Sequence, residues 1–307
     1  MSCFHHLHTP DMAEPHCRSV RSDVAFFYSQ EGHRPSAYPH VNVVANHIAE
    51  LDETMMRYLL TFFSVAALSI TTALSVAHAG GHGNKLQYEV NGKNFAAHVE
   101  SAGGDAKGII YIVHDWDGLN DYEINRAKML KEMGYTAIAI DLFGVDAKLE
   151  GRDDYRRETG ALYGNRDEFR ARIAAALAAG GDIETAGNKS FIIGYCFGGA
   201  AVLESARAGM PVDGYVSFHG GLGTPDGQNY SNTKAPVLLL HGSADPVSGM
   251  DDLASLLNQL QEAGVAHDAE VFGGARHSFT VAGSRDYDES ADSKSWDALM
   301  RFLARNS

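Results

Sequence analysis

The run Phe191-Ile192-Ile193-Gly194-Tyr195-Cys196-Phe197-Gly198-Gly199-Ala200 passes from apolar residues into Gly-x-Cys-x-Gly-Gly, and small residues at Ala200, Ala201 and Ala206 follow. That order reads as strand, tight turn, helix, the context of a nucleophile elbow. The turn needs glycines because the central residue takes a strained conformation while neighbouring backbone crowds it. It lifts the Cys196 sulfur to the top of a sheet, at the N-terminus of the next helix. There the helix dipole and unpaired N–H groups favour a thiolate and, later, an oxyanion. A buried cysteine beside a tight turn is the competing reading, and residues further along the chain discriminate between the two.

Alternation of elements surrounds this run. Lys85–Val90 and Phe95–Glu100 flank Asn91-Gly92, the strongest short hairpin signal, so the domain opens with an antiparallel pair. Ile109–Val113, Thr136–Ile140, Ser190–Ile193, Gly214–Phe218, Val237–Leu240 and Ala269–Phe272 read as short strands. Helical patterns separate them: one capped by Asn120 and closed by Gly134, then Asp153–Tyr163, Arg166–Ala179, Cys196–Ala208, Asp251–Ala263 and Ser290–Ala304. Short apolar strands alternating with helices predict an α/β fold, a mostly parallel sheet with helices on both faces. Catalytic groups then belong in loops beyond the carboxyl ends of the strands.

Two such loops carry the partners that a thiol needs. Val237–Leu240 runs into His241-Gly242-Ser243-Ala244-Asp245-Pro246, and the strand ending at Phe272 runs into Gly273-Gly274-Ala275-Arg276-His277-Ser278-Phe279. Cys196, Asp245 and His277 thus follow one another at strand ends in the order nucleophile, acid, base. The division of labour is a thiol, an imidazole that takes its proton, and a carboxylate that fixes the imidazole tautomer. His219 and His241 also end strands and read as structural or pocket-lining residues.

At these residues the chain resembles the dienelactone hydrolase family, over essentially all of 85–305. The resemblance implies an α/β-hydrolase fold and cleavage of a small-molecule carboxylic ester or lactone by a Cys-His-Asp triad without a cofactor. It implies further that an acidic residue in the loop after an early strand contacts the resting thiol. Asp115 of Val113-His114-Asp115-Trp116-Asp117-Gly118 takes that position, and the backbone N–H groups of Phe197 and Trp116 form the oxyanion hole. Family members that act on dienelactones bind the substrate carboxylate through arginines. One of those positions falls in Thr280-Val281 here, so Arg157 and Arg276 are the candidate substrate-binding cations. A non-catalytic binding protein on the same fold is the alternative.

Bulk properties agree with a globular domain: 307 residues, 45% hydrophobic and 21% charged. A formal net charge of −14 argues against nucleic acid as a partner. With three cysteines, Cys3, Cys17 and Cys196, and no C-x-x-C pair, neither a disulfide framework nor a metal site is expected in the folded region. Arg57-Tyr58, the apolar stretch Leu59–Val76 and Ala77-His78-Ala79 read as a secretory signal over 55–79, cleaved before Gly80. Met55 or Met56 is then the natural initiator, and residues 1–54 form an extension outside the fold. The expectation is an exported domain over 80–307, monomeric and free of the membrane after cleavage.

Overall fold

The computed structural model describes residues 85–185 and 187–307. The expectations for the extension over 1–54 and the export signal over 55–79 lie outside the described residues. Eight strands form one sheet: β1 (Lys85–Val90), β2 (Lys93–Glu100), β3 (Gly108–Val113), β4 (Thr136–Ile140), β5 (Lys189–Tyr195), β6 (Gly214–Phe218), β7 (Val237–Gly242) and β8 (His267–Phe272). Six helices are interleaved: α1 (Asp121–Glu132), α2 (Arg152–Gly164), α3 (Arg166–Gly181), α4 (Phe197–Ala208), α5 (Met250–Glu262) and α6 (Glu289–Asn306).

The strand order is β1-β2-β4-β3-β5-β6-β7-β8. β1 and β2 pair antiparallel, with Asn91 and Gly92 both at positive φ, the backbone that a two-residue hairpin turn demands. β2 joins β4 antiparallel, and all pairings from β4 to β8 are parallel. This is the expected architecture, a mostly parallel sheet entered through a hairpin.

Strand alternation divides the core into two layers. Ile109, Tyr111, Val113, Ile138 and Ile192 face α3, α4 and α5, against Phe169, Ile173, Val202 and Leu256. Ile110, Ile112, Ala137, Ile193 and Val216 face α1 and α6, against Leu130, Leu299 and Phe302. Burial on both faces explains why β3, β4 and β6 lack exposed positions, whereas the edge strand β8 keeps half-exposed ones.

Chain order places the site. From β3 the chain moves to β4 on one side and later reaches β5 on the other, so the connections diverge at the carboxyl end of β3. Such a switch point opens a crevice between the flanking loops. Val113 is in register with Gly194, and Tyr195 with Phe218. Extended in the same register, Asp115, Cys196 and His219 come level with one another and emerge side by side.

Candidate active site

Cys196 sits between β5 and α4 at φ 53°, ψ −110°, outside the comfortable range for a residue with a side chain. The surrounding glycines explain how the turn is built. A Cβ on Gly198 would stand 2.2 Å from the Val113 carbonyl oxygen, and one on Gly194 would stand 2.2 Å from that of Gly198. The elbow is thus pressed backbone to backbone against the end of β3, which brings the sulfur to the crevice.

Three loops then converge. The Cys196 Sγ lies 3.0 Å from His277 Nε2, and His277 Nδ1 lies 2.8 Å from Asp245 Oδ2. The second oxygen of Asp245 accepts the backbone N–H groups of Val247 and Ser248, at 2.7 and 3.3 Å. Burial pushes the Asp245 carboxyl up, but the His277 hydrogen bond and charge, with those two N–H groups, outweigh it and leave the group below its usual range. An ionised Asp245 accepts from Nδ1–H and leaves Nε2 with its lone pair toward the sulfur.

Residues 95–307 match the dienelactone hydrolase family. The chain belongs to that family. It is 25% identical over 261 residues to a protein of Saccharolobus solfataricus that carries the name carboxymethylenebutenolidase, covering 72% of this chain and 98% of the relative. A carboxymethylenebutenolidase homolog of Mus musculus is 25% identical over 206 residues, covering 64% of this chain and 82% of the relative. Among solved structures, a dienelactone hydrolase-like promiscuous phosphotriesterase from metagenomic libraries is 30% identical at a TM-score of 0.65. That alignment covers 72% of this chain and 97% of the solved one. Family membership makes the protein a carboxylic ester or lactone hydrolase.

In this dienelactone hydrolase family member the surroundings of the thiol disfavour its ionisation. Burial raises the thiol well above the usual cysteine range, and the charge and hydrogen bond of Asp115 raise it further. The short side chain of Asp115 therefore does reach the sulfur. Opposing these effects, the nearby backbone N–H groups of Phe197 and Trp116 lower the thiol, and the Trp116 N–H donates to Asp115 Oδ1. Burial also pushes Asp115 itself up to about 6, against its hydrogen bonds to the Trp116 N–H and the Cys196 thiol.

Asp115 owes its position to residues that pattern reading did not assign to the site. His114 Nε2 accepts the Leu142 N–H at 3.1 Å, so its Nδ1–H donates to the Asp115 carbonyl at 2.6 Å and holds the loop from behind. Glu123 is fully buried and accepts the Asp115 N–H at 3.1 Å and the Asn120 N–H at 3.1 Å, while burial pushes it up to about 8. The signal for Glu123 was present as the capping box Asn120-x-x-Glu123, whose carboxylate here serves a neighbouring loop as well as its helix.

The two candidate substrate cations are engaged elsewhere. Arg157 binds Asp154 and Glu158 on the exposed face of α2, and Arg276 binds Asp286 at 2.9 Å. Among the described residues no hydrogen bond joins either of them to Cys196, His277 or Asp115. Trp116, edge-on to Tyr155 at 5.4 Å between centroids, and Tyr163, 5.6 Å from Phe197, form an aromatic lip beside the elbow. Among the described residues there is no cluster of three or more metal-ligating side chains, and no helix is long and apolar enough to cross a membrane.

Replacing Asp115 with Asn tests its hold on the thiol. An aspartate whose folded pKa is raised to about 6 contributes less stability as pH climbs from the unfolded value through 6, because the fold resists its ionisation. Asp115→Asn should therefore melt higher than wild type at pH 8, with the gap closing toward pH 4. Iodoacetamide should alkylate Cys196 of the variant at pH 7 about 3- to 10-fold faster, since a repelling charge is gone. Matching melting profiles and alkylation rates would remove Asp115 from this role.

Proposed function

We infer that the chain hydrolyses neutral carboxylic esters or lactones with Cys196 as nucleophile, His277 as base and Asp245 as orienting acid. The observation that carries this reading is the unbroken contact Asp245–His277–Cys196, at 2.8 and 3.0 Å. As substrate enters, Asp115 gives way and the thiol proton passes to His277 Nε2. The thiolate attacks the acyl carbon, and the Phe197 and Trp116 N–H groups receive the developing oxyanion, each typically worth about 3 kcal/mol in the transition state. Collapse breaks the C–O bond, and His277 protonates the leaving oxygen. Water, deprotonated by His277, then attacks the thioester, releases the acid and restores the thiol.

Preference for a neutral acyl group follows from the arginines. With Arg157 and Arg276 held by carboxylates on the surface, neither is free for a substrate carboxylate. The test is a panel of p-nitrophenyl acetate and small lactones, with and without a carboxylate, on the purified chain. Turnover favouring neutral members supports the reading, and strict dependence on a substrate carboxylate contradicts its specificity clause.

The same reading extends to location. An exported monomer with one thiol, Cys196, is proposed from Arg57-Tyr58, Leu59–Val76 and Ala77-His78-Ala79. Intact-mass measurement of the exported form should give a chain beginning at Gly80. A chain retaining residues 55–79 in that compartment would contradict cleavage.

A further inference from the structure

His219 follows β6 at φ 38°, a left-handed backbone rare for a residue with a side chain, and it is fully buried. The close approach of two chain segments explains the bend. A Cβ on Gly199, in the first turn of α4, would stand 2.6 Å from the Gly220 Cα, so the segment after β6 runs against the elbow. The bend turns the His219 ring inward, behind the nucleophile.

The contacts of that ring settle its protonation. The Cys196 N–H has two acceptors, the Phe218 carbonyl at 3.0 Å and His219 Nδ1 at 3.2 Å. Because Nδ1 accepts, the remaining proton is on Nε2, which donates to Thr280 Oγ1 at 2.8 Å. Only a neutral imidazole does both, and burial, with the nearby His277, pushes His219 well below the usual histidine range.

Thr280 lies in the same turn as His277, three residues on. Its hydroxyl also meets Tyr122 Oη at 2.6 Å, and its carbonyl accepts from Arg126 at 2.9 Å. Arg126 is fixed in turn by Asp292 at 2.6 Å and by the rings of Tyr122, Tyr195 and Trp296. The Thr280 end is therefore anchored to α1 and α6. The His219 ring also packs edge-on against His277 and Phe279, at 5.4 and 5.1 Å between centroids.

We propose that His219 is a positioning residue, a hydrogen-bonded strut that runs from the nucleophile's backbone N–H to the turn carrying the base and fixes the Cys196–His277 separation. This rests on the triad reading given above. The sulfur and imidazole meet through a single 3.0 Å contact, and each stands on a different loop. A misplacement of even 1 Å between reacting groups can cost about 100-fold in rate. The strut gives the two loops a second connection that does not pass through the reacting atoms. It remains intact while Asp115 moves and the sulfur changes charge.

The test uses His219→Ala, His219→Asn and Thr280→Val in the full chain. Asparagine returns an acceptor near the Nδ1 position, and valine removes the Thr280 hydroxyl while keeping its shape. His219→Ala should lower kcat by about 10- to 100-fold with KM changed less than about 3-fold, since substrate binding is not its task. His219→Asn should recover part of the loss. Combining His219→Ala with Thr280→Val should cost less than the product of the single effects, because both break one strut. The plateau rate and apparent pKa of Cys196 alkylation should move in His219→Ala and return toward wild type in His219→Asn.

An unchanged kcat and alkylation profile in His219→Ala would overturn the strut, as would asparagine no better than alanine together with multiplicative effects of the pair. If His219→Ala does not fold, His219→Asn and Thr280→Val decide the matter by the same readouts, and wild-type behaviour in both overturns it. A wild-type chain that turns over no ester would defeat the triad reading alone. The alkylation profiles would still report on the strut.

Discussion

Cys196→Ala is expected to lower kcat/KM toward p-nitrophenyl acetate by about 10⁴-fold, leaving a residue of activity above water from the oxyanion donors and the bound geometry. The sulfur is the atom at the centre of the site. It meets His277 at 3.0 Å and is approached by Asp115. The substitution removes one sulfur and leaves the backbone unchanged, so alanine should keep the fold and melt within a few degrees of wild type. Stopped-flow or steady-state release of p-nitrophenol measures the loss, and retained turnover in a folded Cys196→Ala chain would remove the nucleophile.

His277→Ala should cost nearly as much, about 10³- to 10⁴-fold in kcat. The thiol is pushed well above its usual range by burial and by Asp115, so the variant lacks the imidazole whose Nε2 stands 3.0 Å from the sulfur to take its proton. Asp245→Asn should cost less, because the imidazole stays in place while its orientation and its cationic form lose support. The double variant Cys196→Ala/His277→Ala should be no slower than the slower single variant, since both belong to one proton-transfer unit. Additive losses in kcat would mean that the two residues act in separate steps, contrary to the 3.0 Å contact between them.

How far these residues could be read from the chain depended on the range of their contacts. The elbow, the Asn91-Gly92 hairpin and the buried strands are local signals, and each element lies where its pattern placed it. Boundaries shifted where ionisable residues enter strands. β8 begins at His267 rather than Ala269, because an edge strand tolerates His267 and Asp268 on a half-exposed surface. β2 likewise begins at Lys93, two residues before Phe95. Asp245 and His277 were legible because the sheet topology puts every strand's carboxyl end on one rim, so position along the chain nearly fixes position in space.

Contacts between rim loops were not legible. His219 and Thr280 are 61 residues apart and meet only because β6 and the turn after β8 flank the same elbow. The left-handed φ of His219 has no residue-type signal, because that backbone is ordinarily the mark of a glycine. Arg157 and Arg276 are a different case. The family resemblance suggested them for a substrate carboxylate, and at the surface Asp154, Glu158 and Asp286 pair with them.

The most direct measurement is a rapid-quench reaction of the full chain with a slowly hydrolysed p-nitrophenyl ester, followed by peptide mapping of the acylated protein. A transient thioester on the peptide that contains Cys196, removed by neutral hydroxylamine, is the predicted result. An acyl group on any other side chain, or steady turnover with Cys196 unlabelled at every quench time, would contradict it.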